Sequence, residues 1–365
     1  MARKNKDIPP RNILIIRFSA LGDVCMTIPV VYGICRANPS TRFVYLTKKA
    51  VAGLFIGAPS NLTVEGIDLK KHYHGPAGAV RLILSLCRRY DIDAVADLHS
   101  VLRTRIMDIV ARLRGIPVAV IDKQRRRREE LTSRGAGHAA PLRPMTDRYA
   151  DVFGRLGLVP AGGNISAPVP GRIDPSVAGG FIAPKQPGQC WIAVAPFAAH
   201  RGKIYPEEKM RRVVGELAAR HDTQVILFGG GAAETEVLDG WTRAMPGVVS
   251  LAGKRCGFRV ELAIIGQCDV MVSMDSANMH LASLMGTPVV SIWGATHLAA
   301  GFGGWRQDPA NAVEAPLACR PCSVFGNKVC HRGTYECLSS IEPEQIVGKV
   351  TELLNKQKRA EAQRP

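Results

Sequence analysis

Apolar positions along the chain fall into short runs separated by stretches of helical spacing. Residues 13–16 (ILII) read as a buried strand, 17–22 as a loop, and 23–37 as a helix. A second strand is predicted at 42–47 (RFVYLT), a helix at 78–90, and a strand with a polar end at 93–99 (DAVADLH). Strands and helices alternating at this spacing predict parallel βαβ units. Residues 160–190 are rich in Gly, Pro and Ala and carry little periodicity, which marks a seam. The alternation then restarts. Strands are predicted at 191–196, 223–230, 248–253, 270–274 and 288–294, with helices at 206–220, 234–243, 259–268 and 277–285.

This pattern predicts an α/β protein of two Rossmann-like βαβ domains in tandem. In open parallel sheets ligands sit beyond the carboxyl ends of the strands, so loops of both domains are expected to face a central cleft. No short-period repeat is visible. The last ten residues (KQKRAEAQRP) read as a solvated tail.

With 365 residues, 46% hydrophobic and 22% charged, and a mean hydropathy of +0.03, the chain suits two packed domains and excludes a disordered or fibrous protein. No apolar stretch reaches the length of a membrane span, and the run 13–16 is too short for a signal-peptide core. A cytoplasmic location is therefore expected. The ten cysteines are then thiols rather than a disulfide framework. Cys25, Cys35, Cys87, Cys190 and Cys268 read as small buried hydrophobes.

Charge adds direction. Lys and Arg number 48 against 31 Asp and Glu, a net +17, of which residues 1–175 carry +14 and residues 176–365 carry +3. Such a field draws nucleic acid, a phospholipid surface or a phosphorylated substrate. The densest cluster, 123–134 (KQRRRREELTSR), has no interleaved aromatics on which bases would stack.

Several short segments carry candidate chemistry. After the first strand comes Ser19-Ala20-Leu21-Gly22-Asp23, where Gly22 permits a tight turn and Asp23 is either a general base on an incoming hydroxyl or a helix N-cap. The run 272–280 (VSMDSANMH) passes from strand to helix. Its free N–H groups form an anion site, with Asp275 toward sugar hydroxyls and Ser276 and His280 toward phosphate, or with Asp275 or Ser276 merely capping. The loop 199–208 (AHRGKIYPEE) places Lys203 after a strand, suited to a diphosphate or simply solvated, with Pro206 in the first turn of the next helix. In 228–236 (FGGGAAETE) the glycines lack the dinucleotide or P-loop spacing, and Glu234 either holds a ribose hydroxyl or stabilises the helix start. Cys319, Cys322, Cys330 and Cys337 form a C-x2-C-x7-C-x6-C cluster that suits a zinc knot or buried thiols alike, and no metal is assigned. Asp91-Ile92-Asp93 matches a D-x-D metal signature by chance.

Taken in order, ILIIRFSALGDVCMTIPV, DAVADLHSVLRTR, PFAAHRGKIYPEEKM, VSMDSANMHLASLMGTPVVSIWGAT and CRPCSVFGNKVCHRGTYECLSSIEPEQIV resemble the ADP-heptose:lipopolysaccharide heptosyltransferases of glycosyltransferase family 9 over nearly the whole chain. The resemblance implies a GT-B fold: an acceptor-binding domain (1–175), a nucleotide-sugar-binding domain (176–340), and a C-terminal helix (341–357) crossing back to the first domain. It implies inverting, metal-independent heptose transfer from ADP-heptose to the inner core of a lipopolysaccharide precursor, with no cofactor. Asp23 matches the catalytic base. Lys203, Glu234, Asp275, Ser276, Ala277 and His280 fall on the donor side. Ser19, Gly22, Arg103, Arg126 and Arg127 fall on the acceptor side. The implied partners are a nucleotide sugar, an anionic lipid-linked saccharide and, peripherally, the cytoplasmic face of the inner membrane, not nucleic acid.

Two motifs depart from the family. Its D-T-G-x-x-H is Asp275-Ser276-Ala277-Asn278-Met279-His280 here, and its Lys-x-Trp-Pro is Lys203-Ile204-Tyr205-Pro206. The alternatives are the same fold with another nucleotide sugar for a different surface glycan, and a basic, zinc-braced nucleic-acid-binding protein.

Overall fold

The computed structural model describes residues 11–134, 139–158 and 173–362. Residues 1–10, 135–138, 159–172 and 363–365, which include 160–172 of the expected seam and the end of the tail, lie outside the described residues.

In chain order the first elements are β1 (Asn12–Ile16), α1 (Leu21–Ala37), β2 (Arg42–Lys48), α2 (Lys49–Ala52), β3 (Leu62–Ile67), α3 (Leu69–His72), α4 (Gly75–Tyr90), β4 (Ala94–Asp97), α5 (Leu102–Leu113), β5 (Val118–Val120), α6 (Arg125–Arg134) and α7 (Met145–Gly154). Strands β1 to β5 form one parallel sheet in the order β3-β2-β1-β4-β5. Its centre is apolar because β1 is covered on both faces: Ile13 to Ile16 are fully buried, Leu14 and Ile16 among Val44, Leu46, Leu82, Leu86, Val95 and Met107. Each such side chain contributes roughly 1.5–3 kcal/mol.

The second group comprises β6 (Cys190–Ala195), α8 (Glu207–Ala218), β7 (Thr223–Leu227), α9 (Ala232–Ala244), β8 (Val248–Ser250), α10 (Gly257–Ile265), β9 (Val270–Met274), α11 (Ala277–Met285), β10 (Val289–Trp293), β11 (Ala312–Glu314), α12 (Glu336–Ser339) and α13 (Pro343–Ala362). Its six parallel strands run β11-β10-β9-β6-β7-β8. The chain thus divides into two units, the first comprising Met1–Lys123 and Met145–Gly171 and the second Gln124–Pro144 and Arg172–Pro365.

That division departs from a break at 175/176 in one informative place. Helix α6, with Arg126 and Arg127, belongs to the second unit: Leu131 is fully buried with Leu142 and Ala300, and the Arg128 guanidinium lies 5.4 and 5.5 Å from the Phe302 and Phe325 rings. Part of the basic excess of the first half therefore sits in the second unit. Helix α13 is likewise held by the second unit. Ile346, Val350, Leu353 and Leu354 make one buried stripe, and Lys209 reaches the Glu342 carboxylate at 2.8 Å.

Strands β3, β5 and β11 and helices α5 and α7 have no counterpart in the hydrophobic pattern. β3 is buried only at Leu62, and β5 and β11 are three residues each, too short for alternation to register. The strand expected over 93–99 covers only Ala94–Asp97, because the Asp97 carboxylate accepts the N–H groups of His99 (2.8 Å) and Ser100 (3.0 Å) and turns the chain out of the sheet. Pro206 is the N-cap of α8 rather than its first residue.

Candidate active site

In the first unit the carboxyl ends of β1 and β4 carry adjoining loops, since Ile16 pairs with Asp97. Beyond β1, Arg17 is buried, donates to the Leu98 carbonyl at 2.6 Å, and lies 5.8 Å from the Tyr149 ring centroid. Its other nitrogen meets Asp23 Oδ2 at 2.5 Å. Asp23 is the third residue of α1, not its cap. The cap position is Ala20, whose N–H donates to Asp23 Oδ2 at 3.2 Å while its own side chain offers no acceptor. Gly22 is the second helical residue and not one of the glycines at positive φ, so the turn is made upstream of it, over half-buried Ser19 and exposed Ala20. The Asp23 carboxylate, 24% exposed, is held by a guanidinium and a backbone amide while remaining open to solvent.

His99 enters this loop from β4 and was missed by sequence reasoning. It is buried, its ring packs edge-on to Phe18 at 5.9 Å, and its Nδ1 faces the Phe18 N–H at 3.5 Å. Burial, then the charges of Arg17 and Lys123, push it down to about 3, so it is a neutral imidazole. Lys123 Nζ donates to the Ser100 carbonyl at 3.0 Å. The polar triplet Asp97, His99, Ser100 at a strand end was the signal available. On α5, Asp108 is pushed up to about 8 by burial and then by the charge of Asp97 and a hydrogen bond with it, so Asp108 keeps its proton at neutral pH.

Of the acceptor-side arginines, Arg103 heads α5 and donates to the Tyr73 carbonyl at 2.5 Å. Arg126 and Arg127 are exposed on α6, in the second unit. The first unit thus brings Ser19, Gly22 and Asp23 together; Arg126 and Arg127 do not share that unit.

In the second unit, the one-turn helix Arg201–Lys203 follows β6, and Asp275 directly follows β9, the neighbouring strand. Lys203 Nζ lies 2.8 Å from Asp275 Oδ2, with 16% and 6% of the two side chains exposed. Three glycines allow this approach. A Cβ on Gly202 would meet the Gly326 carbonyl at 2.8 Å, one on Gly294 the Gly202 carbonyl at 2.6 Å, and one on Gly326 the Lys203 Cγ at 2.6 Å. Ser276 occupies the N-cap of α11 in extended conformation but makes no capping bond; its Oγ is 3.2 Å from Ser273 Oγ. The first amides of α11, at half-buried Ala277 and Asn278, therefore point past an uncapped helix start whose dipole favours an anion. His280 is buried in the same helix. A lysine, a carboxylate and a helix N-terminus converge, which suits a sugar diphosphate.

Glu234 is committed locally: its Oε2 accepts the Gly230 N–H at 2.7 Å and so closes the glycine loop before α9. Tyr205, which stands at the family's tryptophan position, is buried and donates to the Ile341 carbonyl at 2.8 Å, making that position part of the core.

Cys319, Cys322, Cys330 and Cys337 line one small cavity. Burial pushes Cys322 and Cys337 up, while backbone amides, that of Tyr335 foremost, hold Cys330 down. Among the described residues no three His, Cys, Asp or Glu side chains are placed to hold a metal ion.

The family model described as glycosyltransferase family 9 (heptosyltransferase) matches residues 81–329. The chain is 26% identical over 147 residues to lipooligosaccharide heptosyltransferase 2 of Campylobacter jejuni, covering 39% of this chain and 44% of that protein, so the match spans less than half of this relative. It is 23% identical over 326 residues to lipopolysaccharide heptosyltransferase 1 of Pseudomonas aeruginosa, covering 85% of each. The structure of the E. coli ADP-heptose lps heptosyltransferase II superposes with a TM-score of 0.68 at 17% identity over 95% of this chain and 99% of that one. This likeness shows the fold, which is GT-B.

Proposed function

This chain belongs to glycosyltransferase family 9, the heptosyltransferase family, and from that premise we propose that it moves a heptose from ADP-heptose to the inner core of a lipopolysaccharide precursor. The observation that carries the reading is the pairing of Lys203 with Asp275 at the uncapped start of α11. The proposed reaction is a single inverting displacement that needs no metal ion. An acceptor hydroxyl attacks the anomeric carbon, and its proton passes to an Asp23 carboxylate oxygen as the new glycosidic bond forms. The bond from the anomeric carbon to the diphosphate breaks, and its electron pair leaves with ADP. Lys203 and the first amides of α11 stabilise that departing charge, the task a divalent cation performs elsewhere.

Arg17 orients the Asp23 carboxylate, and neutral His99 adds no further charge to a loop that already holds Arg17 and Lys123. Asp275 takes the heptose hydroxyls, Ser276, Ala277 and His280 line the diphosphate, and Glu234, with one oxygen on the Gly230 amide, offers the other to the ribose. Ser19, Gly22 and Arg103 receive the acceptor. The acceptor is an anionic, lipid-linked saccharide, met by a peripheral enzyme at the cytoplasmic face of the inner membrane. A nucleic-acid-binding reading leaves the Lys203 and Asp275 pair and the Asp23 loop without a role.

The test is ADP release from ADP-heptose with a purified acceptor in excess EDTA, beside UDP- and GDP-sugars. Transfer from ADP-heptose alone, with the product anomer inverted by NMR, is expected. Transfer restored only by a divalent cation overturns the metal-free step, and a preference for another donor overturns the heptose assignment.

A further inference from the structure

Among the described residues five large hydrophobic side chains are exposed, and three of them stand on α5: Leu102 (76%), Ile109 (55%) and Leu113 (83%). Spacings of seven and four residues align them along one face of the helix. The opposite face is anchored by buried Thr104, Met107, Asp108 and Ala111. Exposed Arg105 and Arg112 flank the ridge, and exposed Arg114 follows it. The only acidic residue of α5, Asp108, is on the buried side. Helix α4 packs alongside and turns Arg81, Arg88 and Arg89 outward. The exposed face of α5 is thus apolar at its crest, bordered by Arg105 and Arg112 on one side and by half-buried Ile106 and Val110 on the other, with no exposed carboxylate on the helix itself; of the α4 arginines, Arg89 is engaged by Glu65 at 3.3 Å.

We propose that this face docks the enzyme on an anionic lipid surface. The proposal rests on the acceptor being lipid-linked, and it assigns where on this chain the bilayer is met. The charge pattern selects the occupant. A second copy of the chain, meeting the first across a two-fold axis, would set Arg105 and Arg112 against themselves with no carboxylate between them. A bilayer with phosphate headgroups receives the leucines and isoleucine at the boundary of its acyl region and pairs the arginines with phosphates. No described helix is long and apolar enough to cross the membrane, so the contact is interfacial. The position fits the chemistry of the same unit: α5 begins three residues after His99, in the loop that holds Lys123 and Arg17 through the Ser100 and Leu98 carbonyls. Docking there would bring a membrane-anchored saccharide to the carboxyl ends of β1 and β4.

The experiment is co-sedimentation of the full chain with vesicles of phosphatidylcholine alone and of phosphatidylcholine with phosphatidylglycerol. Binding to the anionic vesicles only, weakened by salt, is expected. Leu102→Ser/Leu113→Ser should lower that binding about tenfold or more, and Arg105→Glu/Arg112→Glu likewise. Both variants should unfold at the wild-type temperature and keep wild-type transfer to an acceptor stripped of its lipid. Equal binding to neutral vesicles, no loss in either variant, or a dimer that the leucine variant splits would overturn the proposal. Absence of transfer to the stripped acceptor by the wild type would instead overturn the functional reading, whatever the vesicles show.

Discussion

Lys203 Nζ and Asp275 Oδ2 stand 2.8 Å apart, one from the loop after β6 and the other from the end of β9, in a pocket that leaves the carboxylate only 6% exposed. A pair this enclosed holds its lysine in place before a ligand arrives, and removing one member strands the other. Lys203→Met should therefore cost about 3 kcal/mol of stability, by the usual penalty for an uncompensated buried charge. It should also lower kcat/KM by about 100-fold or more through the lost contact with the leaving diphosphate. Lys203→Met/Asp275→Asn should regain most of the stability and none of the activity. Urea unfolding and steady-state kinetics separate the two effects, and a single variant within tenfold of wild type would remove the lysine from the reaction.

The Ala20 amide and the Arg17 guanidinium meet the same oxygen, Asp23 Oδ2, so Asp23→Asn can keep both contacts but takes away the negative charge that the buried guanidinium faces. A loss of about 1–3 kcal/mol in stability follows. If the carboxylate takes the acceptor proton, kcat should fall by about 10²–10⁴ while the KM for donor barely moves. A kcat within a few-fold of wild type would assign Asp23 to holding the helix start and nothing more.

Buried Asp108 makes stability depend on pH in an unusual direction. Asp108 titrates at about 8 in the folded chain and near the ordinary 3.9 when unfolded, so the folded state holds a proton that the unfolded state has released. The stability this contributes is complete below pH ~4 and is lost as pH rises toward 8. The unfolding temperature of the wild type should fall across that window, by about 2–4 °C for each kcal/mol lost, and Asp108→Asn should flatten the curve. An unchanged slope in the variant would mean the proton lies elsewhere. His99, held near 3, should show ring proton shifts that stay flat from pH 5 to 8.

These cases mark where the sequence is readable. Ser19 to Asp23 and Asp275 to His280 are legible because each is a strand end running into a helix start, with the chemistry within six residues. The partners are not. Arg17 reaching the Leu98 carbonyl and Lys203 meeting Asp275 require knowing that β1 lies beside β4 and β6 beside β9. Gly22 misleads because glycine suits both a turn and an open helix start, and the structure uses the second. The basic run 123–134 misleads for another reason: its charges are visible in the sequence, but its unit is decided by Leu131, a single apolar residue packed on Leu142 and Ala300.

Gly326 offers a test of the donor site that touches no charged group. It sits at φ +72°, and a Cβ there would lie 2.6 Å from Lys203 Cγ and 3.2 Å from its Cδ. Gly326→Ala therefore strains the backbone by about 1–2 kcal/mol and pushes the lysine stem away from Asp275. Gly257 has a similar φ of +77° with nothing within 4 Å of its would-be Cβ, so Gly257→Ala carries the backbone strain alone. Both variants should unfold several degrees lower. Only Gly326→Ala should raise the KM for donor, by about tenfold for a misplaced phosphate contact, with the acceptor KM unchanged in both. Equal kinetics in the two variants would show that the position of Lys203 is not set by the glycine against its stem.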